Sequence, residues 1–281
     1  MDQALIDTIS PQLEQRIASK SLALPMLPQV INQVLSLVND EDTDAAALAK
    51  LVQSDPALAG HVMRIANSAA YSPNVQMTSL QQAIARLGMQ SIADIALAAT
   101  MGPKLFKAEG FETTIKDIWQ TSLATAIWSR EIARQGRSNV ESAFLSGLLC
   151  QIGRPVVLQA VVDIAKGDAA NLDVESMNHL MAHFQTQVGT VLAQHWQLPM
   201  AVVHCISSVD SDDAAEGSQN IVDTVKAAQV FAAITLADRN YDEEQLAANN
   251  HVINVNFYAE DVQKVLEKTE AIHATLSELS L

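Results

Sequence analysis

The sequence predicts an all-α, multi-helical bundle, and three observations carry that expectation. Apolar residues recur at helical spacing almost throughout, helix start and stop signals punctuate the chain, and alternating apolar–polar segments are scarce. Val30, Val34, Leu35 and Val38 lay one apolar stripe along a helix that breaks at Asn39-Asp40-Glu41-Asp42. Asp55 before Pro56 reads as an N-cap followed by a first-turn proline, starting a helix that carries Val62, Ile65 and Ala66. Thr78-Ser79-Leu80-Gln81 has the spacing of a capping box, and Gly88 stands where it would close the helix that follows. Further helices are expected over 115–135, 141–151, 154–166, 173–184, 185–196, 199–208, 219–238 and 258–279. Only His251-Val252-Ile253-Asn254-Val255-Asn256 alternates like a short extended segment.

Composition narrows the class. With 281 residues, 49% of them hydrophobic, the chain is large enough to bury one extensive core or two adjoining ones. Its net charge of −15 creates a field that repels phosphate backbones, so nucleic acid is not an expected partner. Met1 to Lys20 is polar and amphipathic without an apolar signal core. No uncharged apolar run reaches the roughly 18 residues that a span requires, so no membrane association and a cytoplasmic location are expected. Two cysteines, Cys150 and Cys205, both in apolar context, read as buried thiols and not as a disulfide framework.

Four ordered segments carry a resemblance to a known family. They are Leu24-Pro25-Met26-Leu27-Pro28-Gln29-Val30; Asp55-Pro56-Ala57-Leu58; Ile65-Ala66-Asn67-Ser68-Ala69-Ala70-Tyr71; and Ala83-Ile84-Ala85-Arg86-Leu87-Gly88. These resemble successive motifs of the HDOD family, an all-α relative of the HD-superfamily metal-dependent phosphohydrolases found in bacterial signalling and regulatory proteins. Further on, Ala143-Phe144-Leu145-Ser146-Gly147-Leu148-Leu149-Cys150-Gln151-Ile152-Gly153-Arg154 is similar to the A-F-L-x-G-L-L-H-D-I-G-K signature of those hydrolases, with Cys150-Gln151 in place of the metal-binding His-Asp pair. The resemblance implies an HD-domain-like helical core with an N-terminal helical lobe. The motifs divide the chain into an HDOD-type lobe over 1–106, a degenerate HD-like core over 111–240 and a C-terminal connector and helix over 241–281, with breaks at Met101-Gly102-Pro103 and Lys107-Ala108-Glu109-Gly110.

Carried over position by position, the resemblance leaves the metal ligands missing. Thr121 stands at the first His place, Gln185 at another, and Val209 and Asp210 at a His-His pair; Asp238 alone matches the acidic residue that closes the pattern. A hydrolytic metal needs imidazole nitrogens together with ionised carboxylate, and one carboxylate without imidazole does not supply that set. No metal, no cofactor and no catalytic residue are therefore expected. Arg154 stands where the hydrolase signature has Lys, so a cation beside the vacated cleft either holds a small anion or nucleotide or pairs with a structural carboxylate. Asn67 and Ser68 form the HDOD-type polar pair on an otherwise apolar helix, expected to satisfy loop backbone groups.

Weaker signals read more plainly. His179 and His183 have metal-compatible i, i+4 spacing, but no glutamate of an H-E-x-x-H motif lies between them and no third ligand is evident. The run Asp210 to Ser218 faintly resembles a calcium loop, yet Ile221 occupies the position of the bidentate Glu. The expectation is a non-catalytic bacterial signal-transduction module that binds a regulatory or signalling protein. Two alternatives stay open: a divergent phosphohydrolase, and a sensor that holds a nucleotide or anion in the vacated cleft.

Overall fold

A computed structural model of the chain describes residues 3–38, 40, 43–72, 76–101, 105–165, 173–211, 214 and 217–279. Those residues contain helices and no strand. In order the helices are α1 (Gln3–Ala18), α2 (Gln29–Val38), α3 (Ala45–Gln53), α4 (Pro56–Ala66), α5 (Leu80–Leu87), α6 (Met89–Thr100), α7 (Glu112–Gln135) and α8 (Val140–Leu149). They continue with α9 (Gly153–Ala165), α10 (Val174–His195), α11 (Met200–Ser208), α12 (Gln219–Leu236), α13 (Glu243–Ala247), α14 (Asn250–Asn254), α15 (Ala259–Leu266) and α16 (Thr269–Leu279).

The caps follow local chemistry. Asp55 Oδ1 accepts from the Ala57 and Leu58 backbone N–H groups, both at 3.0 Å, and Pro56 fills the first turn, where its lack of an N–H costs nothing. The start of α5 is shifted by one residue from the expected box: Ser79 is the cap, accepting from Gln82 N at 3.2 Å, and Gln82 Oε1 reaches back to Thr78 N at 2.8 Å. Gly88, at φ +86°, closes α5 and directly precedes α6. In α2 the fully buried positions are Ile31 and Val34, so the buried stripe runs beside the one expected from Val30.

Three element expectations are corrected. The two helices read at 173–184 and 185–196 are one, α10, because no proline interrupts the stretch and Leu180, Phe184, Val188 and Leu192 continue a single buried stripe across the join. The single helix read at 258–279 is two, with a turn at Glu267–Lys268 between α15 and α16. His251–Asn256 is not extended: Asn249 caps α14 by accepting from His251 N at 2.9 Å, Val252 turns inward, and Ile253 is half exposed. Gly102 and Pro103 of the expected lobe break, and Asp212, Asp213, Ala215 and Glu216 of the calcium-like run, lie outside the described residues.

Two compact units emerge, each assembled from separated segments. Unit 1 comprises 1–26, 102–122 and 149–222; unit 2 comprises 27–101, 123–148 and 223–281. The motif-based lobes are a division of the sequence, and each unit draws on more than one of them. In unit 1, α10 packs along α9 and α11, and α1 covers α9 and α10 through Ile6, Ile9 and Leu13. In unit 2 the core forms around Ile31, Leu48, Val62, Ile92, Ile95 and Leu97, with Trp128 and Phe231 in ring contact at 5.0 Å. Trp128 Nε1 donates to Thr235 Oγ1 at 2.8 Å, which satisfies the indole where no water reaches it.

Among the described residues, one stretch is long and apolar enough to cross a membrane, Val140–Ala165, with hydropathy 1.5 over its best window and 61% of that window buried inside the protein. The turn at Cys150–Ile152 divides it into α8 and α9. Its apolar character is that of a core helix pair.

Candidate functional site

The segment that resembles the hydrolase signature keeps its shape for packing reasons. Gly147 lies where α8 meets α7 in unit 2: a Cβ there would sit 2.5 Å from Ser129 Oγ and 2.9 Å from Ala126 Cα. Gly153 opens α9 against the middle of α10 in unit 1, where a Cβ would fall 2.0 Å from the Gln185 carbonyl oxygen and 2.8 Å from Gly189 N. Both glycines allow helix backbones to approach more closely than any larger residue permits. They preserve the scaffold whatever chemistry the site holds.

That approach brings Gln185 under the start of α9. Its side chain is nine-tenths buried, and its Nε2 donates to Asp210 Oδ2 at 2.7 Å. Thr186 Oγ1 donates to the same oxygen at 2.6 Å. Arg154, in the first turn of α9, faces the same neighbourhood: burial holds its guanidinium below its ordinary value, while Asp210 and then Cys150 pull it back up. Arg154 Nε and Gln185 Oε1 are buried with no hydrogen-bond partner. Cys150 and Cys205 are both buried and in no disulfide.

Cys150, Arg154, Gln185 and Asp210 thus form one neighbourhood in unit 1. Thr121 belongs to the unit 1 part of α7 and donates its Oγ1 to Asp117 O at 2.9 Å. Gln151 lies in the turn before α9, and Val209, buried, ends α11. Asp238 belongs to unit 2, exposed in the turn after α12 with φ 50°. Its left-handed backbone suits a short acidic side chain that closes a helix.

The donor set does not fit a divalent metal. Thr121 and Gln151 offer neutral oxygens, Val209 offers none, and the Asp210 carboxylate is engaged by an amide and a hydroxyl. The described residues contain no group of three or more His, Cys, Asp or Glu able to hold an ion. His179 and His183 are exposed, with their rings stacked at 6.5 Å on one face of α10.

In unit 2, Asn67 Nδ2 donates to Met77 O at 2.9 Å and its Oδ1 accepts from Met77 N at 2.7 Å, clamping the loop after α4 at two points. Ser68, fully buried, donates to Ile65 O at 2.7 Å. The segment they anchor leads to residues that motif reading passed over. Tyr71 lies under the Arg130 guanidinium, 3.7 Å from ring centre to Cζ, and Arg130 Nη1 donates to Ala70 O at 3.2 Å. Arg130 is on α7, outside every quoted motif, and its helix neighbours gave no sign of a cation facing inward.

The comparisons with known proteins follow this geometry. The family model for the HDOD domain matches residues 24–211. An uncharacterized protein of Treponema pallidum (strain Nichols) is 21% identical over 209 residues, covering 72% of this chain and 40% of that protein, so the chain spans well under half of that curated relative's length. A crystal structure from Shewanella amazonensis SB2B, named as a candidate metal-dependent phosphohydrolase, is similar with TM-score 0.74 at 20% identity, over 97% of this chain and 99% of that one. A candidate signal transduction protein from Marinobacter aquaeolei VT8 is similar with TM-score 0.61 at 19% identity, over 98% of this chain and 66% of that one. At such identities the likeness shows the fold alone. Its helical fold, its ordered motifs and a family match over residues 24–211 together place the chain in the HDOD domain family.

Proposed function

We propose that this chain is a non-catalytic regulatory module of a bacterial signalling pathway, acting in the cytoplasm by binding another protein. The observation that carries the reading is the engagement of Asp210 by Gln185 Nε2 and Thr186 Oγ1 at 2.7 and 2.6 Å. A metal in this neighbourhood would gain one carboxylate, whose Oδ2 is already shared by two donors, and no imidazole.

What remains for function is recognition. The Marinobacter protein's name supports a signalling role, and unit 1 exposes apolar side chains suited to partner contact. Met26 is 68% exposed and follows Pro25, whose carbonyl accepts from Trp196 Nε1 at 2.9 Å; Met200, 62% exposed, opens α11. Exposed methionines are adaptable contact residues. The test uses the full chain as bait in the native cell, wild type against a Met26→Glu/Met200→Glu double variant with an unchanged melting curve. A partner held by the wild type and released by the double variant supports the reading. Metal-stimulated hydrolysis of phosphodiesters or cyclic nucleotides that disappears in Asp210→Asn would replace it with the hydrolase reading that the Shewanella protein's name carries.

A further inference from the structure

We propose that unit 2 contains a small-anion site, anchored by Arg130 beneath the Ala69-Ala70-Tyr71 segment, for a ligand bearing a carboxylate or a phosphate. The site belongs to unit 2 and the Arg154 neighbourhood to unit 1, and the proposal does not rest on the recognition reading above.

Arg130 is nine-tenths buried, and no described carboxylate makes an ion pair with it. A buried guanidinium loses hydration worth several kcal/mol and is ordinarily compensated by an anion. Here its partners are neutral: one carbonyl, Ala70 O, and Tyr71, through its ring face and its hydroxyl. Tyr71 cannot balance the charge, because burial pushes its phenol up to about 12 and keeps it neutral. Glu131, the adjacent buried carboxylate, gives both oxygens to Arg134 Nη1, each at 2.5 Å. Arg130 thus carries its charge on neutral partners, with no carboxylate of its own among the described residues.

These residues line a cavity of about 320 Å³. That volume is at the small end of ligand pockets, which run from roughly 300 to 1,000 Å³. Arg130 and Arg134 enter from α7 and Lys268 from the turn before α16, while Glu267 stands at the exposed rim and Ile272 supplies an apolar wall. Once Glu131 is matched with Arg134, Arg130 and Lys268 face the single carboxylate of Glu267. The balance is locally positive in a chain whose net charge is −15.

The walls are held firmly. Asn67 fixes the start of the segment to Met77, and Ala70 N donates to Thr275 Oγ1 of α16 at 3.0 Å. The Tyr71 ring beneath Cζ helps to hold the guanidinium in place. A guanidinium suits recognition of carboxylate or phosphate by charged hydrogen bonds. The HDOD-type segment then acts as one wall of a ligand site as well as a packing element.

The probes are inorganic phosphate and succinate, each titrated into the full chain at constant ionic strength by calorimetry and thermal melting. At least one of them is expected to bind saturably and raise the melting temperature. Arg130→Gln should weaken that binding about tenfold or more, as loss of a charged contact does. Lys268→Ala, at an exposed position, should weaken it about threefold, the scale of an exposed charge pair. Arg154→Gln should leave it unchanged. Phosphate binding alone assigns a phosphorylated ligand, and succinate binding alone a carboxylate. If Arg130→Gln does not fold, Lys268→Ala decides. No saturable binding of either anion, or binding that survives Lys268→Ala and Arg130→Gln while Arg154→Gln removes it, overturns the proposal.

Discussion

Asp94 shows how a single side chain can govern the stability of unit 2. It is 2% exposed on α6, and burial, together with the nearby Glu141, raises its carboxyl to about 7 in spite of the Gln90 hydrogen bond at 3.1 Å. The folded state therefore retains a proton that the unfolded chain releases near 4, so the native state binds more protons between about pH 4 and pH 7. Stability must fall as pH rises through that window and level off above it. Asp94→Asn removes the titration: its unfolding free energy is expected to exceed that of the wild type by on the order of a few kcal/mol at pH 8 and to match it near pH 4. Urea unfolding at the two pH values measures this, and an equal gap at both would show that Asp94 titrates normally. Trp128→Phe, which removes the indole donor to Thr235, should cost about 1–3 kcal/mol at any pH, read from the same urea curves. Residues of this kind were invisible in the sequence, because nothing in D-I-A-L-A-A distinguishes a buried aspartate from one on a solvated face.

At the scale of elements, the two glycines of the hydrolase-like segment are where pattern and packing agree. Gly153→Ala places a methyl group on the Gln185 carbonyl and must push α9 away from α10, a cost of about 3 kcal/mol or more. Urea denaturation should show it, and a loss under about 1 kcal/mol would mean that the helices have room to separate. Cap chemistry was legible for the same local reason: Asp55-Pro56 and Gly88 act within one turn, and the structure places them at helix ends. Long-range effects were not. The chain from 173 to 196 reads as two helices when Gln185 is taken as a site residue, yet it forms one helix because burial along α9 and α11 continues through it. Alternation at 251–256 was misleading since five residues can satisfy either period, and the Asn249 cap decided for helix. The neighbourhood of Cys150, Arg154, Gln185 and Asp210 was legible by resemblance. The Arg130 pocket was not, since its walls come from three distant segments whose meeting is a property of the fold.

For the whole molecule, the interleaving of the two units decides which experiments are meaningful. A cut between 106 and 111 would sever both units, because 1–26 completes unit 1 and 123–148 completes unit 2. Isolated lobes are therefore expected to unfold, visible as lost helicity by circular dichroism, and partner binding has to be mapped by point substitution in the full chain. The donor set around Asp210 is not one that suits a metal, and metal stoichiometry is the measurement that bears on it. Protein purified without chelator, incubated with manganese, iron or zinc and then desalted, should carry well under ~0.2 ion per chain by elemental analysis, the level of adventitious surface binding. About one ion per chain, lost in both Asp210→Asn and Gln185→Ala, would contradict the account and return the chain to the metal-dependent hydrolases.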